Sequence, residues 1–337
     1  MKKIGMVLLI VLVVSTGLFA QGAKESATKD SYEIVILVKS MGNGFFDACY
    51  AGSEQAAAEL GNVTTTYMGP VQTTAEGQIE IIETLIAQKV DGIAISANDA
   101  DALIPVTKKA MAAGIKVISF DSGINEGGRT VDLVPSKSEL IGRQQVQLAA
   151  ELADYQGDVA VLSASAQATN QNSWINWMKE EIKEADYADM ELVEVVYGDD
   201  APDKSYREAV ALMNKYPNLK AIICPTTVGL LATAQAVKDE GKSGVVQGTG
   251  LGLPSEMKGY ILDGTVGQMA LWNPIDLGYT STYILEALIT GKADGAVGSS
   301  FDAGKMGKVL VEDKGIAVMG TPFVFNAENI EKYAKIF

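Results

Sequence analysis

The chain has 337 residues, 47% of them hydrophobic and 20% charged, which describes a globular protein with enough apolar material for two cores. Its formal charge of −15 makes it a poor partner for nucleic acid or anionic lipid, since both need a basic footprint. It contains no histidine, so a Ser-His-Asp triad and a His-ligated zinc site are excluded, and no metal or cofactor is expected.

The first 22 residues read as a secretory signal peptide. Lys2 and Lys3 form a positive start, Ile4 to Val14 is mostly apolar, and small residues close the segment, so cleavage is expected near Ala20 to Gly22. The apolar core is too short to read as a membrane span. No cysteine stands at the cleavage point to carry a lipid, so the mature chain is expected to be soluble and exported. Cys49 and Cys224 fall in different halves, one in a helix and one in a strand, and no bridge between them is expected.

Strands and helices then alternate almost to the end, the pattern of parallel α/β folds. The expected strands are Glu33–Val38, Asn62–Tyr67, Gly92–Ser96, Lys116–Phe120, Thr130–Val134, Val159–Ser163, Leu192–Tyr197, Ala221–Cys224, Val245–Thr249 and Val266–Leu271. Between them lie segments of helical period, including Ala75–Gln88, Leu103–Ala113, Ser138–Tyr155, Gln171–Glu184 and Asp276–Thr290. A helix–turn–strand unit occurs twice, at Ala75–Ser96 and Ser205–Cys224, which points to two similar α/β lobes. Residues 31–134 plus 273–297 are expected to form the N-terminal lobe, and 135–272 plus 298–337 the C-terminal lobe. No Pro- or Ser-rich linker divides them, so short crossing segments should join them as a hinged pair.

In open α/β sheets, ligands bind beyond the carboxyl ends of the strands, and the candidate site residues are those that follow strands. Lys39 ends the first strand, and Ser40-Met-Gly-Asn-Gly44 turns into the aromatics Phe45 and Phe46. These three could hold a polar molecule with an apolar face, or could be a surface lysine and two rings tucked under a helix. Gly42-Asn-Gly-Phe-Phe-Asp47 nearly spells a dinucleotide fingerprint, but the third glycine is missing and Phe45 would crowd a pyrophosphate. Asp121 follows Val117-Ile-Ser-Phe120 and could accept bonds from adjacent hydroxyls or merely bond its own turn. Asn170-Gln-Asn-Ser173 opens a helix; one of these residues caps it, and the others are free to face a cleft. Pro225-Thr-Thr227 follows another strand. Trp272-Asn273-Pro274 follows the last one, where a tryptophan either packs the hinge or stacks on a ligand. Paired acids could hydrolyse a glycoside, yet nothing fixes Asp47, Asp121 or Asp276 at a working separation, and an enzyme is not expected. Asp199-Asp200 reads as a polar loop.

Four stretches carry a resemblance: Val38-Lys-Ser-Met-Gly-Asn-Gly-Phe-Phe46, Thr74-Ala-Glu-Gly-Gln-Ile-Glu80, Asp91-Gly-Ile-Ala-Ile-Ser-Ala-Asn98 and Leu271-Trp-Asn-Pro-Ile-Asp-Leu-Gly278. With them the mature chain resembles the periplasmic sugar-binding proteins of ABC importers, the type I or ribose-binding-like group, and within it the rhamnose- and autoinducer-2-binding proteins. The resemblance implies two Rossmann-like doubly wound lobes joined by a three-segment hinge, with a monosaccharide between them and an inner-membrane ABC permease as partner. It implies a monomer that binds without catalysis. Position by position, Lys39 looks like the cleft cation, Phe45 and Phe46 the aromatic wall, and Asp121 the acceptor for neighbouring hydroxyls. Asn170 and Gln171 fall where autoinducer-2 binders carry an acid and an amide, Pro225 and Thr227 match a ligand-facing loop, and Trp272 and Asn273 match the hinge-side pair. Asn170 departs from that acid, and Gly250-Leu-Gly252 offers no acid where ribose binders usually have one. A 6-deoxyhexose such as L-rhamnose then fits best; autoinducer-2 binding, or a sugar sensor presenting its closed form to a chemoreceptor or kinase, are the alternatives.

Overall fold

The computed structural model describes residues 29 and 31–337; the expected signal peptide lies outside the described residues. The first sheet takes β1 (Tyr32–Leu37), β2 (Val63–Met68), β3 (Gly92–Ile95), β4 (Lys116–Phe120) and β5 (Asp132–Val134). Helices α1 (Gly44–Leu60), α2 (Ala75–Gln88) and α3 (Ile104–Ala112) alternate with these strands. Then come α4 (Ser138–Leu152), β6 (Gly157–Ser163), α5 (Thr169–Glu181), β7 (Met190–Tyr197), α6 (Pro202–Lys215), β8 (Leu219–Cys224), α7 (Thr227–Asp239) and β9 (Gln247–Gly250). The chain continues through α8 (Pro254–Leu262), β10 (Gln268–Leu271) and α9 (Pro274–Thr290). It ends with β11 (Ser300–Asp302), β12 (Lys308–Glu312), β13 (Ile316–Val318), β14 (Phe323–Asn326) and α10 (Ile330–Tyr333).

Two sheets result. The first runs β11-β12-β13-β5-β4-β3-β1-β2 and the second β7-β6-β8-β9, while β10 pairs with β14 as a two-stranded ribbon. The apolar runs of β1, β3, β4 and β8 follow from burial on both faces. Along β1, Ile34 and Ile36 pack with α1 and α9 residues such as Phe46, Cys49 and Leu285, whereas Val35 and Leu37 pack with Ile82 and Leu85 of α2 and Val106 of α3. Each such side chain contributes about 1.5–3 kcal/mol when fully buried.

Three segments cross between lobes: β5 to α4, β10 to α9, and β13 to β14. One expectation is corrected. Residues 298–337 do not all belong to the second lobe, because β13 pairs in parallel with β5 and carries β12 and β11 onto the first sheet. The second lobe gains only the end of the chain, where β14 lies against β10 and α10 against α8. Lys308-Val-Leu-Val-Glu312 alternates and so signals an alternately buried strand, but not the sheet that it joins. Cys49 and Cys224 are both free and buried. No helix among the described residues is long and apolar enough to cross a membrane.

The first lobe depends on a close crossing of α1 and α9. A Cβ on Gly278 would lie 1.7 Å from the Cys49 carbonyl oxygen, and one on Gly52 would lie 1.8 Å from that of Ile275. Ser53 and Thr282 share a buried hydroxyl–hydroxyl bond of 2.7 Å at the same crossing. Gly278→Ala should therefore destabilise the protein. Helix propensity favours alanine by about 1 kcal/mol, but overpacking against backbone costs about 1–3 kcal/mol or more. Urea unfolding should show a net loss of up to about 2 kcal/mol or more; a gain would mean the helices can part freely.

Candidate ligand cleft

The carboxyl ends of β1, β4, β6, β8 and β10 converge between the lobes. The loop after β1 turns at Gly42, whose φ of +81° suits glycine, and Asn43 then caps α1 by accepting the Phe45 N–H at 3.0 Å. Glycine in this near-fingerprint thus serves a turn and a cap. Amide side chains hold the end of β1 in place. Gln78 of α2 donates to the carbonyls of Val38 (3.1 Å) and Ser96 (2.8 Å), and Asn98 donates to that of Lys39 (2.9 Å). Gln78 Oε1 in turn accepts from the Asn98 N–H at 2.9 Å.

Lys39 Nζ donates to Asn170 Oδ1 at 2.9 Å and lies 3.9 Å from Asp121 Oδ2. Asn170, from the opposite lobe, also reaches Asp121 through Nδ2 at 3.4 Å. Asp121 has φ +60° and accepts from Ser96 Oγ at 2.7 Å. Burial pushes its carboxyl above the usual range, and the Lys39 ammonium and the Ser96 hydroxyl pull it partly back. Gln171 turns its Oε1 to Ser163 Oγ (2.6 Å) and the Ala164 N–H (2.8 Å), so its NH₂ is the arm left for the cleft.

The opposite side is aromatic. Phe45 stands edge-on to Phe46 (centroids 5.2 Å apart) and to Trp272 (6.0 Å), and Trp272 meets Trp174 at 5.9 Å. Trp272 Nε1 is buried with no hydrogen-bond partner among the described residues. An orphaned buried donor of this kind costs about 1–3 kcal/mol, which marks a place for an acceptor. Between the polar and aromatic sides lies a cleft with ≈ 370 Å³ of unfilled space, its open mouth included.

Nine of the ten expected residues line this cavity: Lys39, Phe45, Phe46, Asp121, Asn170, Gln171, Pro225, Thr227 and Trp272. Asn273 is the exception and corrects the expectation. Its Oδ1 caps α9 by accepting the Ile275 N–H at 3.0 Å and its Nδ2 donates to Asp276 at 2.7 Å, so the amide is oriented toward the helix start. Sequence reasoning missed Asn43, Trp174, Asp200, Thr226, Leu251 and Leu271, all of which line the wall. Asp200, read as part of a polar loop, lies beyond the carboxyl end of β7, but only the built turn separates it from the exposed Asp199 beside it. Asp47 accepts from Tyr67 (2.9 Å) and Asp276 pairs with Lys305 (3.0 Å), so neither partners Asp121.

Residues 34–293 match the periplasmic binding protein domain. The chain belongs to that family. A solute-binding protein of an ABC transporter from Clostridium phytofermentans, solved with bound L-rhamnose, is 38% identical, with TM-score 0.87 over 91% of this chain and 99% of that one. The D-allose-binding periplasmic protein of Escherichia coli is 25% identical over 314 residues, 91% of this chain and 92% of its own length. LsrB from Clostridium saccharobutylicum in complex with AI-2 shares the fold, with TM-score 0.85 at 22% identity over 89% of this chain and 99% of that one. The family and its sugar-binding members of ABC importers are those the four sequence stretches resemble.

If the cleft holds a polyol as its geometry suggests, Asp121→Ala should weaken binding at least about a hundredfold by removing charge-assisted bonds. Trp272→Ala should cost at least about tenfold through lost stacking area. Calorimetry with near-native affinity for the first variant would remove Asp121 from the site; unchanged affinity with lowered stability for the second would make Trp272 a hinge-packing residue only. Affinity should also depend on pH in a set direction. The ionised carboxylate is the stronger acceptor of hydroxyl bonds, and burial raises the pKa of Asp121, so affinity should fall on acidification and begin to fall at a higher pH than for an ordinary carboxylate near pH 4. In the free protein the sign is opposite, since ionising a group whose pKa folding has raised costs stability, and protonation relieves that cost. A flat affinity profile from pH 7 to 4 would contradict the role given to Asp121.

Proposed function

We propose that the chain is the exported solute-binding component of an ABC sugar importer, and that it binds a monosaccharide, L-rhamnose first among candidates, between its lobes without chemical conversion. The observation that carries the reading is the two-sided cleft: a buried Lys39–Asp121–Asn170 group faces an aromatic wall whose Trp272 N–H has no partner. A pyranose has this division, with hydroxyls around an apolar face. A 6-deoxyhexose adds a methyl group that suits Phe45, Phe46 and Trp272. The relative bound to L-rhamnose, at 38% identity, supports the choice.

The site residues in this reading are Lys39, Phe45, Phe46, Asp121, Asn170, Gln171, Pro225, Thr227 and Trp272. Binding would occur in the periplasm after removal of the signal peptide, with a monomer delivering sugar to a permease in the inner membrane. Ligand contacts made with both lobes exist only when they are closed, so sugar shifts the open–closed equilibrium. A sugar lacking a matched hydroxyl leaves a buried group unpaired, at about 1–3 kcal/mol each, which makes selection sharp.

A thermal-shift screen of the mature protein against L-rhamnose, D-ribose, D-allose and AI-2 tests this. At a hundred times the dissociation constant, binding to the native state adds about 2.7 kcal/mol of apparent stability. A rise with L-rhamnose alone is expected. A rise with AI-2 alone would move the reading to signal uptake, and none with any of them would overturn the ligand assignment.

A further inference from the structure

The cleft contains a second carboxylate, and no expectation from the sequence gave it a role. Asp200 follows β7 on the second lobe and lines the same cavity as Asp121 from the first. One of its oxygens, Oδ1, accepts from Thr226 Oγ1. Its Oδ2 accepts no hydrogen bond among the described residues and is not sealed in the protein interior. Its carboxyl is pushed up by burial and drawn down in part by Thr226 and the Lys39 ammonium.

The loop is built to place that group. Asp199 and Asp200 both have positive φ, +56° and +50°, a conformation Asp tolerates better than most residues but still at a cost. The turn is tied to β6, where the Gly198 and Asp199 N–H groups donate to the carbonyls of Ser163 (2.8 Å) and Ala164 (2.7 Å). Thr73 of the first lobe donates to the Asp199 carbonyl at 3.1 Å, so the loop meets the opposite lobe when the cleft is shut. The unpartnered indole N–H of Trp272 lines the same chamber and independently marks a ligand there.

We propose that Asp200 is a second carboxylate anchor for the ligand, contributed by the lobe opposite Asp121, and that it restricts the site to uncharged polyhydroxylated sugars. The inference rests on the sugar-binding reading above and narrows its substrate class. With both carboxylates ionised, Lys39 against Asp121 and Asp200 leaves the chamber with one net negative charge. A uronic acid or sugar phosphate entering would bring a further anion into a region shielded from water, where repulsion is poorly screened. A neutral sugar instead supplies hydroxyl donors to a carboxylate on each side.

The test is calorimetry of Asp200→Asn and Asp200→Ala in the mature protein, with L-rhamnose, D-ribose and D-allose as neutral probes and D-galacturonate as the anionic one. Asparagine tolerates the same backbone conformation, so the fold is retained. For whichever neutral sugar the wild type binds, affinity should fall at least about tenfold in Asp200→Asn and further in Asp200→Ala. The ratio of galacturonate to neutral-sugar affinity should rise at least about tenfold in Asp200→Asn. The ligand-free variant should melt at or above the wild-type temperature, because a partly desolvated charge has been removed. Neutral-sugar affinity within twofold of wild type in both variants would overturn the role of Asp200. A melting temperature several degrees lower with unchanged affinity would make it a loop-structuring residue. Absence of neutral-sugar binding by the wild type would overturn the parent reading, and this inference with it.

Discussion

A carboxylate taken out of water loses several kcal/mol of hydration, and it stays ionised only where nearby charge and hydrogen bonds replace what was lost. Asp121 is in that position at the centre of this molecule, buried beneath the lobe junction with Ser96 donating and the Lys39 ammonium 3.9 Å away. Its pKa remains raised, so compensation by the protein is incomplete. A further donor arriving from a bound molecule would complete it, and the site is poised for binding in this energetic sense. The aromatic wall adds area and shape, while the direction of recognition is set by the unfinished solvation of the carboxylate.

That arrangement needs an accurate scaffold, because a charge-assisted bond weakens quickly with misplacement. Precision comes from the layer behind the site. Gln78 and Asn98 satisfy the carbonyls at the end of β1 and fix the path of the chain into Lys39, and they also bond to each other. Removing either would orphan several buried backbone groups at once. Their positions explain why two of the sequence stretches that carry the family resemblance contain no residue lining the cavity: those stretches hold the backbone that carries Lys39.

The alternation of strands and helices, the two lobes and most of the cleft were legible because each rests on a local signal. Buried parallel strands read as apolar runs, and strand ends point to the ligand side. Three features were not legible, for separate physical reasons. Residues 300–318 return to the first sheet through pairing with β5, a non-local contact that no window of sequence carries. Asn273 looked like a cleft amide, but an amide before Pro274 at a helix start is also an ideal cap, and capping orients the side chain toward the helix start. Asp200 was hidden among neighbouring acids, since an exposed and a cleft-facing aspartate are indistinguishable until the turn is built.

The two lobes also meet through few direct bonds. Lys39 with Asn170, Asn170 with Asp121 at 3.4 Å, Asn43 with Thr227 at 3.4 Å, and Thr73 with the Asp199 carbonyl span the cleft. Three of these four use residues that line the ligand cavity on both sides, so closure and binding share the same side chains. A net bond of this type contributes about 0.5–1.5 kcal/mol, or 1.5–3 kcal/mol where a charge takes part. Bonds this few hold the closed form by only a few kcal/mol before the cost of ordering is subtracted. A gap of that size is one a ligand can bias by its differential contacts. The same smallness allows release, because a cleft closed strongly by its own bonds would neither admit a sugar nor give it up.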